Sequence, residues 1–309
     1  MMIDMQNRVL GLNPTISVVI PLYNHERYID DAIDSLLQQT MPPFEIIIID
    51  DGSQDNSWQR VQRRAKDEPR IIAWSQQNQG AHCTLNSGLN RATGEYLAIL
   101  NSDDVYHPQR LEFCLQAIQA DPALDVVCTA LAFINEKGRS CNNSWYEEAL
   151  AFYRKIGDLS LALINGNFLM TTSNLFMHRS AWSDLGTFAN LRYAHDLDFF
   201  LRAISCNKRM VILDNPLLYY RTHATNTINE GVLKVKLEWA AVVAYYAWKM
   251  KQNDWSYWEQ LVEITNRHDL TRMLFFFSKH YQQNATERFT VDDWLADNAF
   301  CKFLTDTIR

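Results

Sequence analysis

Apolar positions change period repeatedly over the first 130 residues. Residues 16–20 form a short β-branched run closed by Pro21. Between 26 and 39 apolar side chains then recur at helical spacing: Tyr28, Ile29, Ala32, Ile33, Leu36 and Leu37. Residues 44–49 are a second apolar run, broken only by Glu45 and stopped by Asp50-Asp51-Gly52-Ser53. Such runs, unlike alternating ones, suit parallel strands covered on both faces. Ser53 or Asp55 offers a cap for a helix reaching about residue 66. A third strand is predicted over 71–74, a helix over 80–91 and a fourth strand over 96–100. Pro108 opens another helix, which ends near Asp121-Pro122, and 124–131 returns as a strand. Strand and helix alternating in this order predict right-handed crossovers and a doubly wound, mainly parallel α/β sheet. Such sheets bind ligands at the carboxyl ends of their strands, where the polar clusters 21–24, 50–53 and 101–104 fall.

From about 133 to 227 the pattern breaks into shorter pieces. Helices are expected near 147–155 and 159–163, and strands near 175–178 and 210–213. Residues 232–251, 255–281 and 291–307 have helical apolar spacing and many aromatic side chains. No repeat, low-complexity stretch or flexible linker separates these parts, so they are expected to pack as one unit.

With 309 residues and 47% hydrophobic content the chain can bury a full core. A net charge of −7 without a long Lys/Arg block argues against a nucleic-acid partner, which needs a basic face. The six cysteines form no C-x-x-C pair and read as reduced thiols of a cytosolic protein. The first twelve residues include Asp4 and Arg8 and no signal-like apolar run. The longest apolar run, 239–248, is about half of the ~20 residues that span a bilayer. The aromatic stripe of 238–249 lacks a Lys/Arg-rich polar face, so core or oligomer packing is favoured over a peripheral membrane contact.

The candidate chemistry lies at the strand tips. Asp103 and Asp104 leave an apolar strand together, and hard oxygen ligands of this kind suit Mg²⁺ or Mn²⁺ beside substrate phosphates. A turn with a helix cap is the alternative for this stretch, and for Asp50-Asp51-Gly52-Ser53 as well. A carboxylate at the latter can accept from the N–H of a nucleobase, and Gly52 permits close backbone approach. Pro21-Leu-Tyr-Asn24 offers a rigid turn with one aromatic ring and one amide. His25, His107, His178, His268 and His280 show no ligand spacing and are read as structural.

Several motifs occur in a fixed order: Ile16-Ser-Val-Val-Ile-Pro-Leu-Tyr-Asn24, Ile46-Ile-Ile-Ile-Asp-Asp-Gly-Ser53, Gln77-Asn-Gln-Gly80, Leu85-Asn86, Gly94-Glu-Tyr96 and Asn101-Ser-Asp-Asp104. Together they closely resemble family 2 glycosyltransferases of the GT-A fold, over roughly residues 15–225. The resemblance implies a GT-A-like, Rossmann-type α/β domain over 1–227, with a nucleotide-sugar-binding half at about 15–132 and an acceptor half at 133–227. Residues 228–309 would be a helical C-terminal extension. It further implies an inverting transferase that uses a nucleotide-diphosphate sugar and a divalent metal, Mn²⁺ or Mg²⁺. The acceptor would be a hydroxyl on a glycan, a lipid-linked carrier or another molecule. The setting would be the cytoplasm or the inner face of its membrane, where the C-terminal helices could touch the bilayer or a second copy.

Carried over by motif, Pro21, Tyr23, Asn24 and Asp51 resemble the nucleoside pocket, with Asp51 facing a uracil imide and Asp50 shaping the turn. Asn101-Ser102-Asp103 stands at the family's D-x-D position, which implies Asp103 and the adjacent Asp104 as metal ligands, and Asn101, replacing the first aspartate, and Ser102 as nucleotide contacts. Leu85 replaces an arginine frequent in the family, so a phosphate contact would need another donor, His82 or Arg221. Tyr193-Ala-His-Asp-Leu-Asp-Phe-Phe-Leu-Arg202 resembles the family's E-D-x-x-x-x-x-R segment. It implies Asp196 as the base that takes the acceptor proton, with His195 in place of the glutamate; the alternative for Asp196 is a helix cap. Asp198 and Arg202 are spaced for an i, i+4 ion pair. Tyr219-Tyr-Arg-Thr-His223 resembles the Y-R-x-H ending, with His223 as a metal or diphosphate contact. Two rivals stay open. A sugar-1-phosphate nucleotidyltransferase would carry a Gly-rich basic loop after the first strand, which residues 21–27 do not provide. A non-catalytic domain that binds nucleotide sugar or glycan is suggested by Asn101, Leu85 and His195.

Overall fold

The computed structural model describes residues 14–251, 254–268, 271–283 and 302. In chain order the first elements are β1 (Ile16–Leu22), α1 (Ile29–Leu37), β2 (Glu45–Asp50), α2 (Ser57–Asp67), β3 (Ile71–Ser75), α3 (Ala81–Arg91), β4 (Tyr96–Ile99), β5 (Val105–Tyr106) and α4 (Arg110–Ala120). Next come β6 (Val126–Asn135), β7 (Ser140–Cys141), α5 (Ser144–Ile156), α6 (Leu159–Asn165), a 3₁₀ turn at Thr172–Asn174, β8 (Phe176–His178), α7 (Arg179–Leu185) and α8 (His195–Ser205). The chain continues through β9 (Met210–Thr222), α9 (Val232–Lys251), α10 (Trp255–Arg267) and α11 (Thr271–Gln283).

These elements cluster into two compact units. One comprises residues up to 134 with 171–187 and 209–221; the other comprises 135–170, 188–208 and the residues from 222 onward. The helices α9 to α11 thus cluster with segments from the middle of the chain. The chain passes between the two clusters several times.

The first unit carries the strand order β3-β2-β1-β4-β8-β6-β9-β5. The pairs β1·β2, β1·β4 and β2·β3 are parallel, as their apolar runs require. Val18, Val19, Ile20, the four isoleucines 46–49 and Leu97–Ile99 are fully buried, each such side chain worth about 1.5–3 kcal/mol. Gly88 lets α3 sit close on the sheet: a Cβ there would lie 2.4 Å from Val19 Cγ1 and 2.7 Å from Ile49 Cδ1. Beyond β4 the sheet turns antiparallel, because the three-residue β8 inserts between β4 and β6. The register matches Leu22 with Asp50 and Val19 with Ile99, so the carboxyl ends of β1, β2 and β4 open at one edge.

Several boundaries differ from the sequence pattern. The turn before α1 uses the His25 carbonyl to accept from Tyr28 and Ile29, so the helix begins at Ile29. Asp55 does not cap α2 as its N-cap residue; its two oxygens take the N–H groups of Glu26 and Ser57 and tie the β1 tip to the start of α2. β9 continues to Thr222, so Tyr219 to Thr222 lie within a strand instead of after one. The stretch 255–281 is two helices, α10 and α11. The helix expected over 291–307 lies outside the described residues apart from Lys302.

In the second unit α9 packs against α8 and α11, and α6 meets α5, α8 and α10. Phe199, Phe200, Leu237, Val243, Tyr246 and Phe277 are buried there. Among the described residues no helix is long and apolar enough to cross a membrane. The five described cysteines are free thiols.

Candidate functional site

At the tip of β2, Asp50 and Asp51 are both buried and hold different things. Asp50 accepts from Ser75 Oγ on β3 (2.7 Å) and, more weakly, from Ser53 N–H, consistent with a turn-shaping part. Asp51 Oδ1 accepts from Gln76 Nε2 and Gln79 N–H, and Oδ2 from Gly80 N–H, each at 2.9 Å. Its carboxylate therefore organises the whole 76–80 loop. Gly52 has φ +75°, and a Cβ there would lie 3.1–3.2 Å from the backbone of Asn78 and Gln76. At the neighbouring tip, Asn24 adopts φ +53° and its Oδ1 accepts from Gln54 N–H. Beside it Tyr23 is 43% exposed, an aromatic face left in solvent at the carboxyl edge of the sheet. Pro21 precedes it as the penultimate residue of β1. Leu85 is fully buried in α3. His82 lies in the first turn of that helix, and partial burial pushes its imidazole below the ordinary histidine value despite Asp51 nearby.

The tip of β4 separates four adjacent residues by role. Asn101 Nδ2 donates to Thr171 Oγ1 and its Oδ1 accepts from Thr172 Oγ1, both at 2.9 Å. An aspartate could not make the first of these bonds, so the amide serves as a crosspiece to the 3₁₀ turn. Asp104 turns inward, 1% exposed, and accepts from Ser173 Oγ (2.7 Å) and Arg221 N–H (3.0 Å). Burial and the adjacent Asp103 carboxylate push it up to about 8. Arg221 is also buried: Nε donates to the Asp103 carbonyl, Nη2 pairs with Asp31, and the guanidinium lies over the Tyr28 ring. Its charge is engaged inside the unit.

Sequence reasoning set His25 aside, and the fold brings it to Asp103. One ring nitrogen of His25 and one carboxylate oxygen of Asp103 lie within 4.8 Å of each other. Nδ1 of His25 lies 2.7 Å from Ser102 Oγ, so a donor bond from Nδ1 would leave Nε2 as the lone-pair atom. An imidazole and a carboxylate brought together in this way can both ligate a divalent cation. His25 lies three residues past the end of Ile20-Pro-Leu22, and the parallel pairing of β1 with β4 brings the two tips side by side. Spacing within the sequence could not reveal it, because the partner is 78 positions away.

The second unit carries Asp196 and His223. Asp196 is the second residue of α8 and is 7% exposed. Oδ2 accepts from Asn167 Nδ2 (2.8 Å) and Oδ1 from the N–H of Leu197 (2.7 Å). Ala194, not Asp196, occupies the N-cap position. Burial pushes the Asp196 carboxyl up to about 7, opposed by hydrogen bonds from Leu197 N–H, Asn167 and its own N–H and helped by the Glu238 carboxylate. Two residues on, Asp198 and Arg202 form the i, i+4 ion pair that their spacing predicts. His223 Nδ1 lies 2.8 Å from Thr225 Oγ1, and its backbone N–H donates to Asn226 Oδ1.

Known proteins resemble this chain in sequence and in fold. The chain is 29% identical over 220 residues to the putative glycosyltransferase EpsH of Bacillus subtilis, covering 70% of this chain and 63% of that protein. It is 31% identical over 215 residues to the chondroitin synthase of Escherichia coli, covering 69% of this chain and 30% of the synthase. The chain thus spans less than two thirds of either relative. Among solved structures, residues 1–349 of S. aureus TarS in complex with UDP-GlcNAc superimpose with a TM-score of 0.64 at 21% identity. That match covers 89% of this chain and 76% of TarS 1–349, and it shows a shared GT-A fold. The model of the family described as glycosyl transferase family 2 matches residues 17–185, from β1 through α7 and so across every strand tip described above. A match over more than half of the chain settles the matter: this protein belongs to glycosyl transferase family 2.

Proposed function

We propose that the protein moves a sugar from a nucleotide-diphosphate sugar, with uridine as the nucleoside, to a hydroxyl of a glycan, a lipid-linked carrier or another acceptor. The transfer inverts the anomeric carbon in one displacement, in the cytoplasm or at the inner face of its membrane. Family membership and the relatives' names support sugar transfer. The UDP and UDP-GlcNAc complexes of TarS support a uridine donor.

The observation that carries the reading is Asp196: a buried carboxyl in the first turn of a helix, with its proton affinity raised to about 7. A base poised near neutral pH can take the acceptor O–H proton and hold it afterwards. As the acceptor oxygen bonds to the anomeric carbon, the bond from that carbon to the diphosphate breaks, and the electron pair leaves with the nucleotide. Tyr23, Pro21 and Asn24 form the nucleoside side of the donor site, with the 76–80 loop held in place by Asp51. Asp103 and His25 would hold a divalent cation, and the Y-R-x-H motif assigns His223 a metal or diphosphate contact. When bound, the cation offsets negative charge on the diphosphate as it departs. Asp104 and Arg221 brace the tip of β4 from inside, and His82, neutral near pH 7 and in the first turn of α3, is the proposed phosphate contact.

The test is Asp196→Asn, assayed with UDP-GlcNAc and Mn²⁺ as probes. UDP affinity by calorimetry should match the wild type, while UDP release falls about 10²- to 10⁴-fold. Unchanged turnover removes Asp196 from the mechanism. Absence of release by the wild-type protein from UDP-, GDP- and TDP-sugars alike would favour a nucleotide-sugar-binding protein.

A further inference from the structure

Helix α9 begins well after the family match ends at residue 185, yet it supplies a buried carboxylate to the turn that leads into α8. Glu238 is 2% exposed. Its Oε1 accepts from Arg192 N–H (3.0 Å), and its Oε2 accepts from Tyr193 N–H and from Ala194 N–H (2.7 Å). Three consecutive backbone donors thus converge on one side chain. A buried carboxylate is costly unless hydrogen-bonded, and its removal would strand three donors. What it secures is the segment immediately before Asp196, because the N-cap residue Ala194 has no side-chain oxygen of its own. Eight residues further along α9, Tyr246 donates to Asp198 Oδ1 at 3.0 Å. One helix therefore grips α8 on both sides of Asp196.

We propose that Glu238 is a positioning residue for Asp196: by pinning the 192–194 turn it sets where α8 presents the Asp196 carboxylate. The proposal rests on the reading of Asp196 as the base. The titratable side chain next to Asp196 on α8 is His195. Glu238 faces Asp196 from α9, Asp198 on its own helix is paired with Arg202, and Arg192 in the preceding turn is paired with Glu230. Asn167, from the loop after α6, is neutral. Glu238 therefore also favours the protonated form of Asp196 by like-charge repulsion.

The experiment compares Glu238→Gln and Glu238→Asp with the wild type in the full chain. UDP release from UDP-GlcNAc with Mn²⁺ is measured against pH, and the Asp196 carboxyl is titrated by ¹³C NMR, its signal assigned by its loss in Asp196→Asn. Glu238→Gln should lower kcat about 10- to 100-fold with KM for UDP-GlcNAc unchanged, the size expected for a small misplacement of a catalytic group. It should also move the Asp196 titration to lower pH. Glu238→Asp keeps the charge but withdraws the oxygens, and should lose kcat with a smaller displacement of the titration. Either folded variant with wild-type kcat and an unmoved Asp196 titration overturns the proposal, even if its melting temperature falls. Unchanged turnover in Asp196→Asn sinks the base reading instead, and the NMR titration then still reports whether Glu238 governs that carboxyl.

Discussion

Asp196 is a carboxyl that folding places out of water, with hydrogen bonds from Asn167, Leu197 N–H and its own backbone N–H to compensate. Its folded pKa, about 7, lies above the ordinary 3.8, so the native state binds its proton more tightly than the unfolded chain does. The associated stability is complete below pH 3.8 and is lost as pH rises through 7. Asp196→Asn should therefore melt at a higher temperature than the wild type above pH 7, with the gain shrinking toward pH 4; calorimetric scans across that range check it. The same titration predicts that kcat/KM climbs with pH up to about 7 and then levels, and loss of that limb in Asp196→Asn would identify its source. At the other tip, His25→Ala should weaken Mn²⁺ binding about 100-fold or more while leaving the fold intact, measurable by isothermal titration. His25 was not legible because Asp103 lies in the turn after β4, far along the chain, whereas Asp103 and Asp196 stood in recognisable local motifs.

The elements show how far local pattern carries. β1 to β4 and α1 to α4 were legible because each is a long apolar run or a helical stripe bounded by polar residues. β8 was also read, near 175–178, whereas the outer part of β9 was not, because Asp214 and Asn215 interrupt its apolar pattern. The 3₁₀ turn after Thr171 depends on Asn101, whose amide donates to one threonine and accepts from the next. Restoring the family aspartate with Asn101→Asp removes that donor and adds charge beside Asp103 and Asp104. We expect a loss of about 1–3 kcal/mol in urea unfolding, with no gain in Mn²⁺ affinity. Gly88→Val should cost at least as much, about 1–3 kcal/mol or more, because α3 would have to lift off Val19 and Ile49.

Across the whole molecule, the residues proposed for the donor lie in the unit that holds the parallel strands, whereas Asp196 and Glu238 lie in the other. UDP affinity should accordingly survive Asp196→Asn and Glu238→Gln and collapse in Asp51→Ala, which frees the 76–80 loop; calorimetry on the three variants distinguishes them. The linear sequence sufficed for the α/β class, the tips that carry polar residues and the family, because strand runs, turn residues and motif order are properties of neighbouring positions. Partnerships between distant residues were decided only when the chain folded. His25 met Asp103 because β1 pairs with β4, Asp104 turned inward toward Arg221 on β9, and a helix expected as an appendage placed Glu238 under the turn before Asp196. Hydrogen bonds and burial act over a few ångströms in space, and separation along the chain does not encode that distance.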